Sequence, residues 1–326
     1  MNYNSLLGSK LAKYFNKKYG IITYSGTLAI EVALKSLRLK RKSKVLISSN
    51  VCYSIINTVL KLGLVPVIKI PNNGLFFTND DIDVVIDKEI IDCILLVHQF
   101  GILNSISKRK YKKLNIKIIE DVAQAWDLKD NNGINNIGID SDIVVTSFGT
   151  TKPISYGIGG GLFFDNKKIF KEIDFCDNES REKQEIILSY AYPLCKEIKL
   201  DYLLEKANEI VNEQRLCARE YSNVLLNQKT IKYINYEQNS GNVWHRFPMW
   251  IENQKTFEKI KKILEKSTLE FQFEHDVKLT DLPMCQKCIK YNENTHYYFI
   301  LVRTRNVNVE NQVKNLKKLI DLLKND

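Results

Sequence analysis

The chain is 326 residues long and 44% hydrophobic, which is enough for one large domain plus a smaller one, or for two domains with sizeable cores. Its net charge of +10 favours anionic ligands, but lysine is abundant throughout the chain. The basic runs 35–44 and 108–113 together contain a single aromatic residue on which a base could stack, so we expect no nucleic-acid partner. No apolar run approaches the ~20 residues that a membrane-spanning helix needs, and we expect no membrane partner.

Short apolar runs alternate with helix-like patterns through the first half of the chain. The runs are rich in β-branched residues and nearly continuous in hydrophobicity, as strands buried on both faces are. The helical patterns at 27–37 and 54–62 place apolar residues on one face. The predicted strands cover residues 44–48, 65–70, 93–100, 117–120, 143–148 and 161–164. This alternation predicts an α/β fold with a mainly parallel central sheet covered by helices.

The pattern changes after about residue 170. A long helical stretch at 202–226 precedes a strand, a helix, a strand and a final helix, which are predicted at 243–251, 256–265, 297–302 and 309–323. This order is typical of a smaller α+β domain. We therefore expect a large α/β domain over residues 1–195, followed by a long helix and a small C-terminal α+β domain over residues 196–326.

Three stretches place polar residues at strand ends or helix starts, where ligands of such sheets gather. The first is Tyr24-Ser-Gly-Thr, in which Gly26 allows a ligand to approach the backbone and Thr27 adds a hydroxyl beside the free N–H groups of a helix start. This combination suits a phosphate. The alternative is an ordinary Ser/Thr helix cap.

The second stretch covers residues 118–124 and places Asp121 directly after the predicted strand 117–120. A buried carboxylate there is costly unless it pairs with a positive group or a hydrogen-bond donor. In the third stretch, Ser147 lies at the end of another predicted strand, and Lys152 follows it five residues later. Pro153 comes directly after Lys152, and glycines lie at 157 and 159–161. A desolvated lysine is a Schiff-base nucleophile. The alternatives are a helix cap for Asp121 and a solvent-exposed turn for Lys152.

The order of these signals favours one ligand, pyridoxal 5'-phosphate (PLP). This cofactor needs an anion cradle, a cover for its ring, a carboxylate for its pyridinium nitrogen and a lysine for its aldehyde. A single ligand would explain all of the stretches, including the buried Asp121.

The sequence resembles the DegT/DnrJ/EryC1/StrS family of sugar aminotransferases, which are fold type I PLP enzymes. The resemblance spans nearly the whole chain. It is carried by SGTLAIEVAL at 25–34, VHQFG at 97–101, IIEDVAQAW at 118–126, SFGTTK through GGG at 147–161, NEQRLCAREYSNVL at 212–225 and the segment 300–323. It implies a PLP-dependent aminotransferase that moves an amino group, from glutamate as the expected donor, to a keto sugar that we expect to be nucleotide-linked, with ping-pong kinetics. It also implies a homodimer.

The resemblance assigns roles to individual residues. Lys152 would hold PLP as a Schiff base and move protons on the substrate carbon, and Asp121 would keep the pyridine nitrogen protonated. Gln124 would reach the 3-oxygen of the ring, and Tyr53 would cover the ring. The phosphate would be held by Gly26, Thr27, Leu28 and Ser147, and the substrate pocket would include His98, Trp126 and Tyr156.

Several positions depart from the family pattern. Direct alignment places Cys52 where relatives have the aromatic ring cover, with Tyr53 next to it. Trp126 replaces a histidine that is usual in the family. The stretch from about 170 to 200 is shortened and lacks the Asn-x-Arg-Met pattern that in relatives reaches the neighbouring subunit. Two other readings therefore stay open, a non-catalytic or partner-subunit relative that binds PLP or a sugar, and a PLP enzyme with lyase or dehydratase chemistry.

The remaining histidines, arginines and cysteines carry weaker signals. His98 fits a pocket residue and a structural histidine equally well, whereas His245 and His296 fit structural roles better. Arg303 and Arg305 end a predicted strand, and a solvated strand end is favoured over an anion site. The N-terminus lacks the features of a signal peptide. Seven cysteines at irregular spacing, including a lone C-x-x-C at 285–288, predict a cytoplasmic protein without a metal site.

Overall fold

Two sheets organise the fold. The structure, a computed structural model, describes residues 5–130, 132–155, 157–169, 200–273, 283–291 and 297–324. The helices of these residues are α1 Ser5–Tyr14, α2 Gly26–Ser36, α3 Tyr53–Lys61, α4 Asn79–Ile86, α5 Lys108–Lys113, α6 Leu200–Leu225, α7 Gln254–Leu264 and α8 Val309–Lys324. Within the same residues no helix is long and apolar enough to cross a membrane.

The larger sheet has eight strands in the order β1-β7-β6-β5-β4-β2-β3-β11. Strands β2 to β6 and β11 run parallel to one another in this sheet, whereas β7 is antiparallel to both of its neighbours, β1 and β6. The strands are β1 Tyr19–Thr23, β2 Lys44–Ser48, β3 Val65–Lys69, β4 Cys93–Val97, β5 Lys117–Asp121, β6 Ile143–Ser147, β7 Gly160–Phe164 and β11 Ile289–Tyr291. The prediction of a mainly parallel central sheet is confirmed.

Burial explains why these runs form strands. Ile94, Leu95, Ile118 and Ile119 are fully buried, because apolar clusters cover both faces of the sheet. The helices that cover it begin at definite signals. The Ser25 side chain accepts a hydrogen bond from the Leu28 N–H at the start of α2. These helix starts and strand ends meet at one edge of the sheet, which holds the candidate site.

The smaller sheet is antiparallel and lies in the C-terminal part of the chain. Its order is β10-β12-β9-β8, with the strands β8 Lys232–Tyr233, β9 Phe247–Ile251, β10 Phe271–Phe273 and β12 Tyr298–Val302. It packs with α6, α7 and α8 around a core that includes Trp244, Met249 and Ile300. This is the predicted smaller α+β unit. One short strand from the same part of the chain, β11, joins the larger sheet beside β3.

The predicted element ends shift where the backbone leaves the extended conformation. The strand expected at 93–100 stops at Val97, and Phe100 has a φ of 57°. The strand expected at 243–251 begins only at Phe247, and Trp244 has a φ of 60°. A left-handed residue cannot continue a strand, so each of the two strands is shorter than predicted. Strand β1 and helices α1, α4 and α5 were not predicted, because their apolar patterns are short.

Candidate active site

The three polar stretches meet at the C-terminal edge of the parallel strands. Asp121 is the last residue of β5, and Ser147 is the last residue of the adjacent β6. Gly26 begins α2, and Lys152 lies in the loop that connects β6 to β7. The structure therefore brings together residues that are 126 positions apart in the sequence, Gly26 and Lys152 (152 − 26).

The start of α2 forms a cradle against Ser147. A Cβ on Gly26 would lie 2.8 Å from the Ser147 Cβ, and one on Gly160 would lie 2.6 Å from the Gly26 backbone nitrogen. Glycine at both positions lets the three backbone segments approach closely. Ser25 caps the Leu28 N–H, and the Ala29 N–H bonds to the Ser25 carbonyl, so the helix itself offers no acceptor to the N–H groups of Gly26 and Thr27. With the Ser147 hydroxyl, these groups suit an anion.

Asp121 is a buried carboxylate, only 7% exposed. Its Oδ1 accepts a hydrogen bond of 2.9 Å from the Ala123 N–H, and no other hydrogen bond to its carboxylate is made by the described residues. Burial raises the pKa of Asp121, and the Ala123 N–H and the Lys152 ammonium offset part of this rise. A carboxylate held in this way needs a further donor or positive partner in order to ionise fully.

Lys152 is largely buried and lies near Asp121. Burial lowers the pKa of Lys152. The Asp121 carboxylate and the Cys52 thiol raise this pKa and offset part of the effect, whereas the Arg246 charge lowers it further. The lowered pKa increases the fraction of neutral amine, which is the nucleophilic form. The Lys152 N–H donates to the Gly149 carbonyl at 2.9 Å, which fixes the turn that carries the lysine.

Gln124 follows the end of β5 by three residues and is held by the 97–101 segment. Its Oε1 accepts a 2.8 Å hydrogen bond from the Phe100 N–H. Because this bond occupies the amide oxygen, the amide nitrogen is left as a donor for a ligand oxygen.

The chain is similar in sequence to one defined family. The sequence model of the DegT/DnrJ/EryC1/StrS aminotransferase family matches residues 2–300. The chain belongs to this family. It is 25% identical over 293 residues to the 3-oxo-glucose-6-phosphate:glutamate aminotransferase of Bacillus subtilis strain 168, which covers 85% of the chain and 63% of that relative. It is 23% identical over 259 residues to the GDP-perosamine synthase of Escherichia coli O157:H7, covering 76% of the chain and 68% of that protein.

Solved structures share the fold. The crystal structure of NtdA from Bacillus subtilis with bound cofactor PMP superposes with a TM-score of 0.76 at 20% identity, over 98% of this chain and 78% of that one. The E. coli GDP-4-keto-6-deoxy-D-mannose-3-dehydratase with bound hydrated PLP also gives 0.76, at 15% identity, over 98% and 92%. The predicted fold type I is confirmed. The chain spans less than two thirds of the length of the Bacillus aminotransferase, at 63%.

The site fits PLP, the cofactor of this family. The cradle that glycine opens at Gly26 suits its phosphate, and the incompletely paired Asp121 suits its pyridinium nitrogen. The Gln124 amide nitrogen is free to donate to a ring oxygen. Lys152, with its lowered pKa, suits its aldehyde. The described residues contain no cluster of His, Cys, Asp and Glu that could hold a metal ion.

Two adjacent residues compete for the ring-cover position. Cys52 is the N-cap of α3, and it is close enough to Lys152 to affect the pKa of the lysine. Tyr53 begins the helix and is 59% exposed. The assignment of Tyr53 to the ring therefore stays a prediction, and the electrostatic contact favours the thiol of Cys52 as the nearer of the two groups.

His98 is buried and hydrogen bonded through its ring. It is 1% exposed, its Nε2 hydrogen bonds to Glu120 at 3.1 Å, and its Nδ1 accepts from the Asn104 N–H at 3.2 Å. Glu120 also accepts from the Lys108 ammonium at 2.9 Å. Both ring nitrogens are thus engaged, which favours the structural alternative, and the substrate-pocket role of His98 stays a prediction.

Trp126 is also buried, and its substrate-pocket role likewise stays a prediction. It is 3% exposed and stacks on Tyr14 of α1, with ring centroids 3.9 Å apart and planes 6° apart. Phe15 packs edge-on against the same indole. The aromatic residues of α1 therefore hold Trp126 in the core. Tyr156, His296 and the shortened 170–200 loop lie outside the described residues.

The C-terminal half of the chain contributes residues near Lys152 that the sequence analysis did not assign to the site. The Arg305 guanidinium donates to the Lys152 carbonyl at 3.2 Å, although 153 positions separate the two residues. His245 and Arg246 lie within electrostatic reach of Lys152. A basic strand end was the only sequence signal for Arg305, and such ends are common on protein surfaces.

Proposed function

We propose that the protein is a PLP-dependent aminotransferase that moves an amino group from an amino acid, with glutamate as the donor, to the keto group of a sugar. The observation that carries the proposal is the placement of Lys152 and Asp121 on one sheet edge with the Gly26 cradle. The activities named for two relatives, a 3-oxo-glucose-6-phosphate:glutamate aminotransferase and a GDP-perosamine synthase, support an acceptor sugar that carries phosphate, and the second supports a nucleotide-linked one.

When bound, PLP supplies a carbonyl that takes up the amino group and a ring that withdraws electrons from the neighbouring carbon. The chain's own groups would do the rest. The N–H groups of Gly26 and Thr27 and the Ser147 hydroxyl hold the phosphate. Asp121 stabilises a positive charge on the ring nitrogen, because the pairing restores the ionised state that burial disfavours.

Lys152 has two roles in this proposal. Its Nζ would hold the cofactor before the donor arrives, and once the donor's amino group has taken its place, the released amine would move a proton at the carbon that bears the amino group. Burial lowers the pKa of Lys152, so the neutral amine that accepts this proton is more populated at physiological pH. Release of the 2-oxoacid before the acceptor binds should give ping-pong kinetics.

The test is an absorbance spectrum of the protein loaded with PLP, before and after the addition of glutamate, together with an assay for 2-oxoglutarate. We expect a visible band that disappears as one equivalent of 2-oxoglutarate forms. Lys152→Ala should lack the band. A wild-type protein that binds PLP but forms no 2-oxoacid with glutamate or other amino acids would contradict the proposal.

We also propose that the protein is a homodimer. Tyr24, two residues before Gly26, and Tyr53, at the start of α3, are 45% and 59% exposed, and large exposed aromatic side chains are enriched at protein interfaces. Sedimentation equilibrium measures the mass directly, and a monomer at micromolar concentration would contradict this. A cytoplasmic location is proposed from the cysteines, since those of the described residues are all free thiols.

A further inference from the structure

A positive cluster lies beside Lys152 and is not used by the cofactor groups described above. It consists of His245 and Arg246, which precede β9, and Arg305, which follows β12. The Arg305 side chain donates to the Lys152 carbonyl at 3.2 Å, and the Arg246 side chain donates to the His245 carbonyl at 3.0 Å. The smaller sheet therefore delivers these side chains to the loop that carries the reactive lysine.

The charge of this cluster is not balanced. Among the described residues no carboxylate pairs with Arg246 or Arg305, whereas the neighbouring Arg303 bonds to Glu270 at 2.8 Å. Burial lowers the pKa of Arg246, and the charges of Arg303 and Arg305 lower it further. Partly buried cations held together without a counter-ion are unfavourable, so an arrangement of this kind indicates a site for an anion.

Polar atoms in the cluster also lack partners. His245 is 5% exposed, and its Nδ1 has no hydrogen bond to any described residue. The Arg305 Nε is buried and equally unpartnered. Burial and the charges of Arg246, Lys152 and Arg305 lower the pKa of His245 well below its ordinary value, so the ring is neutral. Buried groups of this kind cost stability unless a ligand completes their hydrogen bonds.

We propose that Arg246 and Arg305, together with His245, form the subsite that binds an anionic group of the substrate beside Lys152. The chemical class is an oxyanion, a phosphate or a carboxylate, because the planar guanidinium fork matches the paired oxygens of both. The inference rests on the proposed function, since it takes the ligand to be a substrate that reacts at Lys152. It adds the residues that recognise that substrate, which lie in the half of the chain without cofactor contacts.

Two sources can supply the oxyanion, the carboxylate of the amino-group donor and the phosphate of the acceptor sugar. The two substrates occupy the same site in turn.

The variants Arg246→Gln and Arg305→Gln remove the charge and keep a polar side chain. Arg305→Lys keeps the charge and loses the fork. The matched control is Arg219→Gln, which removes one positive charge from an exposed pair with Glu220 on α6.

The donor arm titrates the PLP-loaded protein with glutamate and follows the loss of the visible band. The second experiment tests the acceptor side. Calorimetry measures the affinity of protein loaded with pyridoxamine phosphate for glucose 6-phosphate, with glucose as the uncharged comparison. We expect either glutamate or glucose 6-phosphate to bind roughly 10- to 100-fold more weakly to the glutamine variants, as loss of one charge-assisted hydrogen bond predicts. The Arg219→Gln control should bind both as the wild type does.

Each outcome decides a separate point. Weakening confined to glutamate assigns the subsite to the donor carboxylate, and weakening confined to glucose 6-phosphate assigns it to the acceptor phosphate. Unchanged affinity for both probes in either folded glutamine variant overturns the proposal, as does a wild type that binds neither probe. If the wild type binds glucose 6-phosphate but does not react with glutamate, the proposed function fails and the acceptor arm still decides the subsite.

Thermal unfolding and PLP binding report the fold, and Arg305→Lys replaces Arg305→Gln if the latter misfolds.

Discussion

The cradle at the start of α2 can be tested by a single methyl group. Gly26→Ala would place a Cβ 2.8 Å from the Ser147 Cβ and 3.2 Å from its Oγ. Carbon atoms in contact prefer about 3.5–4.0 Å, so the start of α2 and the end of β6 must separate by about 1 Å. The atom in the way is the first of the Ser147 side chain, and it cannot swing aside as the end of a long side chain would.

Two quantities follow from this displacement. Overpacking costs about 1–3 kcal/mol of the free energy of unfolding, and replacing glycine by alanine in a helix returns about 0.5–1 kcal/mol. We therefore expect a net loss of roughly 0.5–2 kcal/mol. A shift of about 1 Å also removes one charged hydrogen bond between the cradle and the phosphate, which should weaken PLP binding roughly 10- to 100-fold.

The assay is a fluorescence titration with PLP, paired with urea unfolding of the PLP-free protein. Gly149→Ala is the matched control, because its Cβ would lie 3.5 Å from the same Ser147 Oγ, an ordinary contact, at a backbone angle that alanine tolerates. If Gly26→Ala binds PLP as tightly as Gly149→Ala and unfolds at the same urea concentration, the tight packing of α2 against Ser147 is not what shapes the phosphate site.

Three further predictions concern the polar groups. Lys152→Ala should retain PLP only non-covalently and form no detectable 2-oxoglutarate from glutamate, and turnover near the wild-type rate would exclude its assigned role. Asp121→Asn should lower the rate of amino transfer about 10²- to 10³-fold, measured by stopped-flow absorbance, because the ring nitrogen loses its carboxylate partner. Burial alone would raise the pKa of Glu120, but Lys108 and His98 lower it overall from 4.5 to about 2. The stability from this pairing is present above pH 4.5 and lost as the pH falls towards 2, so Glu120→Gln should flatten acid unfolding over that window, and an unchanged acid transition would contradict this.

Much of the fold followed from the sequence because its signals are local. Strand β2 was predicted with both ends correct, and α2 and α3 to within a residue at each end, since buried strands and capped helices leave short-range patterns. The same reasoning failed where the backbone turns left-handed at Phe100 and Trp244. Those two turns depend on packing between distant segments, and aromatic residues give no local sign of them.

The sequence by itself indicated the residues that we propose to hold the cofactor. Gly26, Asp121, Gln124, Ser147 and Lys152 lie in stretches whose order along the chain already points to PLP. Each lies at a strand end, at a helix start or in the loop that follows a strand, and the C-terminal ends of neighbouring parallel strands meet at one edge of a sheet. Short-range sequence patterns and the rules of α/β topology were enough to predict that these residues lie close together.

Only the tertiary structure decided which other side chains reach that edge. It buries Trp126 against Tyr14 and engages both ring nitrogens of His98, which favours structural roles for both residues. It places Arg305 against the Lys152 carbonyl across 153 positions of sequence. The physical reason is that burial and long-range contact depend on how segments distant in the sequence pack against one another, which no local pattern of residues records.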